Sequence, residues 1–131
     1  MTMSSISVLV VDDEIELANL FRTGIQNVGL ETISFTDPRI ALEYIKHNFN
    51  KFSLILTDLR MPHMSGLDLA VEIRKLDEKI KIVLITAFMT EDLIDDFKFK
   101  NAKIDRVVQK PVKLAELRNS VAQILNQTLD A

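Results

Sequence analysis

Short runs of apolar residues alternate along the chain with longer segments in which apolar residues recur at helical spacing. The runs are rich in Val, Ile and Leu and cover residues 6–11, 54–57, 80–86 and 104–108, while residues 31–35, "ETISF", alternate between apolar and polar. Continuous apolarity over such short lengths is typical of strands that are buried on both faces. The pattern therefore predicts five strands.

Four clear apolar stripes between these runs predict amphipathic helices. The second helix opens at Asp37, an N-cap residue, with Pro38 in the first turn. The stripes consist of Leu17, Phe21, Ile25 and Val28 before Gly29; Ala41, Ile45 and Phe49; Leu67, Ala70, Val71 and Ile73; and Leu114, Leu117, Val121, Ile124 and Leu125.

A further helix, the fourth in chain order, is expected over residues 91–100, although its stripe consists only of Leu93, Ile94 and Phe97. Acidic residues lie early in this segment and Lys98 and Lys100 lie late, an order that the helix dipole favours. Five strands that alternate with five helices pair in parallel through right-handed crossovers. The expected fold class is therefore α/β, a doubly wound five-stranded parallel sheet with helices on both faces.

Length and composition narrow the class of protein. We expect a single domain over residues 1–131 with its core at about 6–125, because a chain of 131 residues suits one compact unit. The sequence has no cysteine, which excludes disulfides and thiolate metal sites. Its net charge is −3 and its Lys and Arg residues are scattered, so the basic patch of a nucleic-acid-binding protein is missing.

The chain also lacks the sequence features of membrane and secreted proteins. Its N-terminal residues have no basic start, unlike a signal peptide, and no apolar segment approaches the roughly 18 to 20 residues that cross a bilayer. We therefore expect a soluble, cytoplasmic protein without direct contact to membrane or nucleic acid.

Polar residues fall at or just beyond the carboxyl ends of four predicted strands: Asp12, Asp13, Asp58, Thr86 and Lys110. In an open parallel sheet, that edge is where ligands bind. Each residue alone also has an ordinary interpretation: Asp13 with Glu16 fits a helix cap, and the others fit loop, buried-hydroxyl and surface positions. Capping does not account for all five together, so the set favours a functional site.

The charges of this set point to a metal and a phosphoryl group. Two carboxylates about 4 Å apart repel each other by roughly 4 kcal/mol at an effective dielectric of about 20. One lysine is too little to balance three of them, whereas a divalent ion fits, and oxygen ligands without Cys favour Mg²⁺. Asp58 is then a candidate nucleophile, since a carboxylate needs no base to form an aspartyl phosphate. Lys110 and the Thr86 hydroxyl would each hold one phosphoryl oxygen.

Four motifs, in this order, carry a family resemblance: "VLVVDDE", "ILTDLRMPHMSG", "VLITA" and "VVQKPV". The chain resembles the receiver domains of two-component response regulators, such as the chemotaxis receivers, over nearly its whole length. The resemblance implies the flavodoxin-like strand order 2-1-3-4-5. It also implies that Asp58 takes a phosphoryl group from a sensor-kinase phosphohistidine, and that the protein is a switch assisting only its own phosphorylation and dephosphorylation, not an enzyme.

The resemblance assigns roles to individual residues. It implies that Asp13 and Asp58 are direct Mg²⁺ ligands, with the main-chain carbonyl at Arg60, while Asp12 acts through water or Lys110. Thr86 is then the switch hydroxyl and Lys110 the phosphate-sensing cation. The Lys110-Pro111 bond is expected to be cis, an isomer that is inexpensive only before proline.

The chain departs from the family pattern at several positions. Val107 stands where the family often has an aromatic residue, so the signal is expected to pass through Thr86 and the loop before the fourth helix. Phe88 and Arg60 flank the site and either slow loss of the phosphoryl group by crowding water or simply face solvent. A glycine common before the fifth strand is missing near Ala102.

The resemblance also implies partners. These are a sensor histidine kinase or phosphotransfer protein, and a downstream protein or output domain that contacts the face formed by the fourth helix, fifth strand and fifth helix. A phosphorylation-dependent dimer is a further expectation. Near this face lie Lys98, Lys100, Lys103 and Arg106, which form either a solvated surface or a contact for an acidic partner. No output domain is expected after the fifth helix, and a stand-alone protein and an excised receiver both stay open.

Other classes fit less well. A phosphohydrolase of the haloacid dehalogenase type needs a second aspartate two residues after the nucleophile, which neither "DDE" nor "DLR" supplies. A nucleotide-binding Rossmann module needs a glycine-rich loop, and Gly24, Gly29 and Gly66 do not form one. A purely structural interaction module also remains open, although the presence of all five site residues argues against it.

Overall fold

The computed structural model describes residues 7–87 and 90–129. Five strands form one parallel sheet in the order β2-β1-β3-β4-β5, which confirms the predicted fold class and strand order. The strands are β1 (Ser7–Val11), β2 (Glu31–Phe35), β3 (Leu54–Asp58), β4 (Lys81–Thr86) and β5 (Arg106–Gln109). The helices are α1 (Ile15–Gln26), α2 (Pro38–Asn48), α3 (Gly66–Leu76), α4 (Glu91–Asp95), α5 (Phe97–Ala102) and α6 (Leu114–Leu129), and a 3-10 turn covers Phe49–Lys51.

The core lies on both faces of the sheet, which explains why the strands are continuously apolar. Successive residues of a strand point to opposite faces. Leu9 and Ile55 pack under α2 and α3, whereas Val10 and Leu56 pack under α1 and α6. Both sets are fully buried. Strands without a solvent face need apolar residues at every position, and the resulting apolar runs allow these strands to be predicted from the sequence.

Some predicted boundaries are shifted. The fifth strand was expected over 104–108 but runs from Arg106 to Gln109, and Ile104 packs against the core from the loop before it. The third strand extends one residue further than predicted, to Asp58. Ile6, the first residue of the predicted first strand, lies outside the described residues.

The end of the first helical stripe was predicted wrongly. Val28 was expected on the buried stripe, but α1 ends at Gln26 and Val28 is 52% exposed. The amide of Gly29 donates to the carbonyl of Gln26, and Gly29 has a φ of +92°, a conformation that glycine adopts readily. The helix therefore stops two residues before its apolar pattern does.

The predicted fourth helix is two short helices, α4 and α5, separated at Asp96. Asp96 has an extended backbone (φ −60°, ψ 132°), and its side chain accepts a hydrogen bond of 2.7 Å from the amide of Lys98. This local bond caps α5 and competes with continuation of the helix. Lys103 ends α5 with a φ of +52°, so a lysine takes the left-handed conformation where the family often has glycine. None of the helices in the described part of the chain is long and apolar enough to span a bilayer.

Candidate functional site

Three carboxylates from two neighbouring strands meet at the carboxyl edge of the sheet. Asp12 and Asp13 follow β1, Asp58 ends β3, and these strands pair so that Val11 lies beside Thr57. One carboxylate oxygen from each aspartate lies within 4.8 Å of the others. Asp12 and Asp58 are 1% and 7% exposed, whereas Asp13 is exposed. The cluster therefore has a buried floor and an open side.

Lys110 supplies a cation to this cluster. Its Nζ lies 3.2 Å from Oδ1 of Asp58 and 3.7 Å from Oδ2 of Asp12. The residue follows β5, and its amide donates a 2.8 Å hydrogen bond to the carbonyl of Thr86 at the end of β4. The Lys110-Pro111 peptide bond is cis, the isomer that the family resemblance implies.

The backbone around Asp58 is fixed by contacts with β4 and α3. The amide of Leu59 donates to the carbonyl of Ile85 at 2.8 Å, and the amide of Gly66 donates to the carbonyl of Leu59 at 2.8 Å. A Cβ at Gly66 would clash with the carbonyl oxygen of Asp58. Gly66 thus lets α3 begin directly against the backbone of Asp58. Sequence reasoning treated Gly66 only as a loop residue and missed this role.

The protonation of Asp12 reflects its burial. Burial raises the pKa of Asp12 to about 6, the hydrogen bond from the Glu14 amide opposes this shift, and the charge of Asp58 adds to it. Oδ1 of Asp12 accepts that amide at 2.9 Å, but Oδ2 is buried without a hydrogen-bond partner. A buried carboxylate oxygen without a partner is costly, so the site gains from a further cation.

Asp58 and Lys110 perturb each other. Burial raises the pKa of Asp58, and the charge of Lys110 and its hydrogen bond counteract the rise. Burial alone would lower the pKa of Lys110, but the charges of Asp58 and Asp12 outweigh it, so the pKa of Lys110 is raised and the ammonium stays charged.

These features suit a divalent cation. Three carboxylates with one ammonium carry excess negative charge, their oxygens lie within 4.8 Å of one another, and one of them is buried and unbonded. Carboxylate oxygens are hard ligands of the kind that divalent ions such as Mg²⁺ and Ca²⁺ take. The residues present therefore fit a divalent metal.

The capping interpretation of Asp13 is not what the structure shows. The N-cap of α1 is Glu14, without a side-chain capping bond. The amide of Glu14 instead donates to Asp12, which is turned into the cluster. Asp12 and Asp13 thus lie in the carboxylate cluster and do not cap the helix.

The remaining predicted residues lie around this cluster. Thr86 is 2% exposed and follows Ile85, the strand partner of Asp58. Val107 is half-buried in an apolar cluster with Leu67, Leu84 and Leu93, away from the carboxylates. Arg60 is exposed in the loop after β3. Phe88 lies outside the described residues.

Comparison with proteins of known sequence supports one family. A family model described as "Response regulator receiver domain" matches residues 8–122. The response regulator receiver protein CpdR of Brucella abortus is 29% identical over 119 residues, which cover 90% of this chain and 95% of that protein. Six other curated relatives are longer, and the chain spans between 27% and 52% of their lengths.

Solved structures agree. The response regulator protein TrrA from Thermotoga maritima, in complex with Mg²⁺-BeF, is 31% identical with a TM-score of 0.76, covering 90% of this chain and 97% of that one. A receiver domain protein from Methanospirillum hungatei shares the fold, with a TM-score of 0.84 at 23% identity over 95% of this chain and 98% of that one. The chain therefore belongs to the receiver domains of two-component response regulators, a family whose general function is phosphorylation on an aspartate with Mg²⁺.

Proposed function

We propose that Asp58 is the phosphoacceptor of this receiver domain and takes its phosphoryl group from a phosphohistidine. The observation that carries this assignment is the position of its carboxylate, which ends β3 beside two other carboxylates with Lys110 Nζ at 3.2 Å. Asp12 is more deeply buried and its oxygen already accepts the Glu14 amide, whereas Asp13 is exposed and forms no salt bridge with any of the described residues. Among the three carboxylates, only Asp58 combines a lysine contact at hydrogen-bonding distance with a buried place in the cluster.

The proposed transfer moves a phosphoryl group from nitrogen to oxygen. A carboxylate oxygen of Asp58 attacks phosphorus, a P–O bond forms, and the P–N bond to the imidazole breaks. The electron pair of that bond returns to the imidazole nitrogen. Hydrolysis reverses the modification, since water attacks phosphorus, inorganic phosphate leaves, and the carboxylate of Asp58 is restored.

The metal ligands in this proposal are Asp13, Asp58 and the main-chain carbonyl of Arg60, with Asp12 acting through water or through Lys110. When bound, Mg²⁺ supplies positive charge that offsets the repulsion between the Asp58 carboxylate and the phosphoryl oxygens. Mg²⁺ is favoured over Ca²⁺ because it retains several waters and commonly binds through one or two carboxylates together with a phosphate.

Lys110 and Thr86 would hold the phosphoryl oxygens. Lys110 already points at Asp58, and its raised pKa keeps it charged at neutral pH. Thr86 ends the neighbouring strand at the same edge, and its backbone carbonyl accepts the Lys110 amide. The two residues that would contact the phosphoryl group are therefore hydrogen-bonded to each other through the backbone at the ends of β4 and β5. Because Thr86 ends β4, phosphorylation would also affect the loop that leads into α4. In this proposal the domain, over residues 1–131, is a switch and not an enzyme acting on a separate substrate.

An apolar groove beside the site suits the phosphodonor. The groove measures about 400 Å³ and is lined by Leu17, Leu20, Phe21, Ala87, Lys110, Pro111 and Val112. Leu20 is 47% exposed and Ile15, at the start of α1, is 64% exposed. Because Lys110 belongs to both the groove and the carboxylate cluster, a partner seated here reaches Asp58. Receiver domains interact with histidine kinases or phosphotransfer proteins, and we propose that the helix bearing the phosphohistidine docks here.

Downstream signalling is proposed to use the face that includes α4, α5, β5 and α6. Val107 lies in an apolar cluster with Leu93 of α4 and Phe99 of α5, so a shift of the α4 region would be felt at β5. Action in the cytoplasm, a phosphorylation-dependent dimer and the absence of direct nucleic-acid contact belong to the same proposal. Slowing of hydrolysis by Arg60 and Phe88 remains a prediction.

The test is phosphorylation with acetyl phosphate and Mg²⁺, followed by intact-mass measurement. We expect the wild type to gain the mass of one phosphoryl group, and Asp58→Asn to gain none. Asp37→Asn is the matched control, because Asp37 is an acidic residue at a strand-to-helix junction outside the cluster, where it caps α2. Labelling of Asp58→Asn to the same extent as wild type would overturn the assignment.

A further inference from the structure

The break between α4 and α5 reverses the orientation of two phenylalanines. In a continuous helix, Leu93 and Phe97 would share one face, because they are four residues apart. In the structure Leu93 is buried, whereas Phe97 is 79% exposed, the largest exposed fraction among the large apolar side chains that the structure describes. Phe99 takes the inner position instead and packs against the cluster of Leu67, Leu84 and Leu93.

Phe97 does not stand alone on this surface. Ile94, three residues earlier in α4, is 41% exposed. The exposed acidic residues Glu91, Asp92 and Asp95 share α4 with Ile94. We call Ile94 and Phe97, with these three acids, the Phe97 patch. It combines an exposed aromatic side chain at the start of α5 with three exposed carboxylates on the neighbouring α4.

The acidic residues of the patch keep their charge unbalanced. Within residues 7–87 and 90–129, no salt bridge reaches Glu91, Asp92 or Asp95. The nearest lysine in sequence is turned away, since Lys98 Nζ lies 2.6 Å from Oδ1 of Asp68 on α3.

Most of the basic residues near this face, which form either a solvated surface or a contact for an acidic partner in the sequence analysis, are engaged with neighbouring side chains. Lys103 pairs with Glu78 at 3.5 Å, and Arg106 donates to the side chain of Gln123 at 2.8 Å. With Lys98 held by Asp68, three of the four cations near this face have neighbours of their own. The fourth, Lys100, is exposed on α5. The surface of α4 itself is acidic, which favours a basic partner there over an acidic one.

We propose that the Phe97 patch is a docking surface for a protein segment that places an apolar side chain against Phe97 and Arg or Lys residues around it. Charge complementarity selects this occupant, since the patch attracts cations and Phe97 offers a ring face to a guanidinium. Anionic lipid surfaces and nucleic acid carry the wrong charge. A second copy joined through the same patch would set acid against acid. The proposal gives chemical detail to the partner face of the proposed switch and rests on that function for its regulation by phosphorylation.

The binding test uses a synthetic amphipathic peptide with Leu and Trp on one helix face and Arg on its flanks. Its counterpart carries Glu in place of Arg. Titration of the ¹⁵N-labelled protein, followed by NMR, should shift the amides of Ile94, Phe97 and their neighbours with the Arg peptide only. Phe97→Ala should weaken binding about tenfold or more, as expected for an aromatic anchor. The double variant with Asp92→Asn and Asp95→Asn should also bind the Arg peptide more weakly than wild type does. The difference in affinity should grow as the salt concentration is lowered.

The matched control is Ile40→Ala, because Ile40 is an apolar side chain on α2 that is 61% exposed. We expect this variant to bind like wild type. Equal affinity of wild type and Phe97→Ala, or equal binding of the Glu peptide, overturns the docking surface. A second arm repeats the titration after addition of beryllofluoride and Mg²⁺, and we expect the affinity to change.

The two proposals fail separately. Failure of Asp58 to be phosphorylated while the Arg peptide still binds at Phe97 removes the switch function and leaves the surface intact. Normal phosphorylation of Asp58 with no binding at the patch removes the docking surface alone.

Discussion

Opposite edges of the sheet each hold a cation against carboxylate groups, and the two arrangements differ in how completely they are hydrogen-bonded. At the amino edge, Arg74 at the end of α3 is paired with Asp105, which precedes β5, with Nη2 and Oδ2 3.1 Å apart. At the carboxyl edge, Lys110 is paired with Asp58 and lies 3.7 Å from Asp12. Both cations come from positions near helix or strand ends, but only the second site is proposed to take part in phosphoryl transfer.

The Arg74 site is saturated with hydrogen bonds, because all three nitrogens of the guanidinium donate to acceptors. The Arg74 side chain is 8% exposed, its Nε donates to the carbonyl of Ala102 at 2.7 Å, and its Nη2 donates to the carbonyl of Lys103 at 3.0 Å. Nη1 donates to the carbonyl of Ile80, and Oδ2 of Asp105 also accepts the amide of Ile82 at 2.7 Å. The guanidinium joins α3, α5, β4 and the approach to β5 in one network.

The carboxyl edge lacks such saturation. Oδ2 of Asp12 has no hydrogen-bond partner, and burial raises the pKa values of both Asp12 and Asp58. In a structural site the buried polar groups are normally hydrogen-bonded. Uncompensated charge and perturbed pKa values are instead typical of sites that bind a ligand. The comparison therefore supports the incompletely bonded carboxyl edge, and not the Arg74–Asp105 pair, as the site of the proposed function.

The largest effect is expected from breaking the saturated site. Arg74→Met removes the donor of several main-chain carbonyls and the cation beside Asp105, which should lower the free energy of unfolding by about 3 to 5 kcal/mol. Urea denaturation followed by circular dichroism measures the change. Lys75→Met is the control, since Lys75 is the next residue and its side chain is exposed in a pair with Glu72. A loss for Arg74→Met below about 1 kcal/mol would contradict the saturated network.

At the carboxyl edge, removing a charged side chain is expected to raise the free energy of unfolding, not to lower it. The pKa of Asp12 is raised from 3.8 to about 6, so folding favours the protonated form of this carboxyl group. The stability that Asp12 contributes is therefore fully present below pH 3.8 and is lost as the pH rises through 6. Asp12→Asn removes the penalty of the charged form. Without divalent ions, it should raise the free energy of unfolding by about 1 to 3 kcal/mol at pH 7.5 and change it little at pH 3.5.

Urea denaturation at both pH values, with a chelator present, checks this prediction. Asp105→Asn is the matched control, because Asp105 accepts hydrogen bonds from Ile82 and Arg74 and loses both charge and partners. We expect that variant to be less stable at pH 7.5. Destabilisation of Asp12→Asn at pH 7.5 would mean that the burial penalty is not the dominant influence on this carboxyl group.

A divalent ion should relieve the incomplete site and leave the saturated one unchanged. At a Mg²⁺ concentration ten times the dissociation constant, binding to the native state alone stabilises the wild type by about 1.4 kcal/mol. Asp13→Asn should lose most of this increment, since Asp13 is a proposed direct ligand, and Asp105→Asn should keep it. The measurement is the shift of the thermal midpoint on adding MgCl₂, and an equal shift in all three proteins would argue against binding at the cluster.

The sequence indicated the incomplete site and missed the saturated one for a physical reason. Asp12, Asp58 and Lys110 interrupt or follow apolar runs, so their place at strand ends could be predicted before any contact was known. In the sequence, Arg74 is simply a cation that follows the third apolar stripe, a common position at a helix end. Its acceptors are main-chain carbonyls of residues as far along the chain as Lys103, and main-chain acceptors leave no mark in a sequence.

The same reasoning explains the shape of the α4–α5 region. A helix with Leu93, Ile94 and Phe97 on one stripe was the natural prediction, and the charge order agreed with it. The break depends on the side chain of Asp96 reaching the amide of Lys98, a local bond that competes with the helix without changing its apolar pattern. Buried strands are read reliably because one requirement, exclusion of water on both faces, acts at every position.

The smallest effect is expected at a third pair, Lys98 with Asp68, which tests whether burial or distance decides the importance of a charge contact. Its 2.6 Å separation is the shortest of the salt bridges described, yet the side chains are 57% and 40% exposed. Water and salt screen most of the attraction between the two charges of an exposed pair. Lys98→Met should therefore leave the urea midpoint unchanged within error, in contrast to Arg74→Met with its longer 3.1 Å contact. A loss comparable to that of Arg74→Met would show that the Asp68 contact fixes the position of α5 against α3, and distance rather than burial would then rank the three sites.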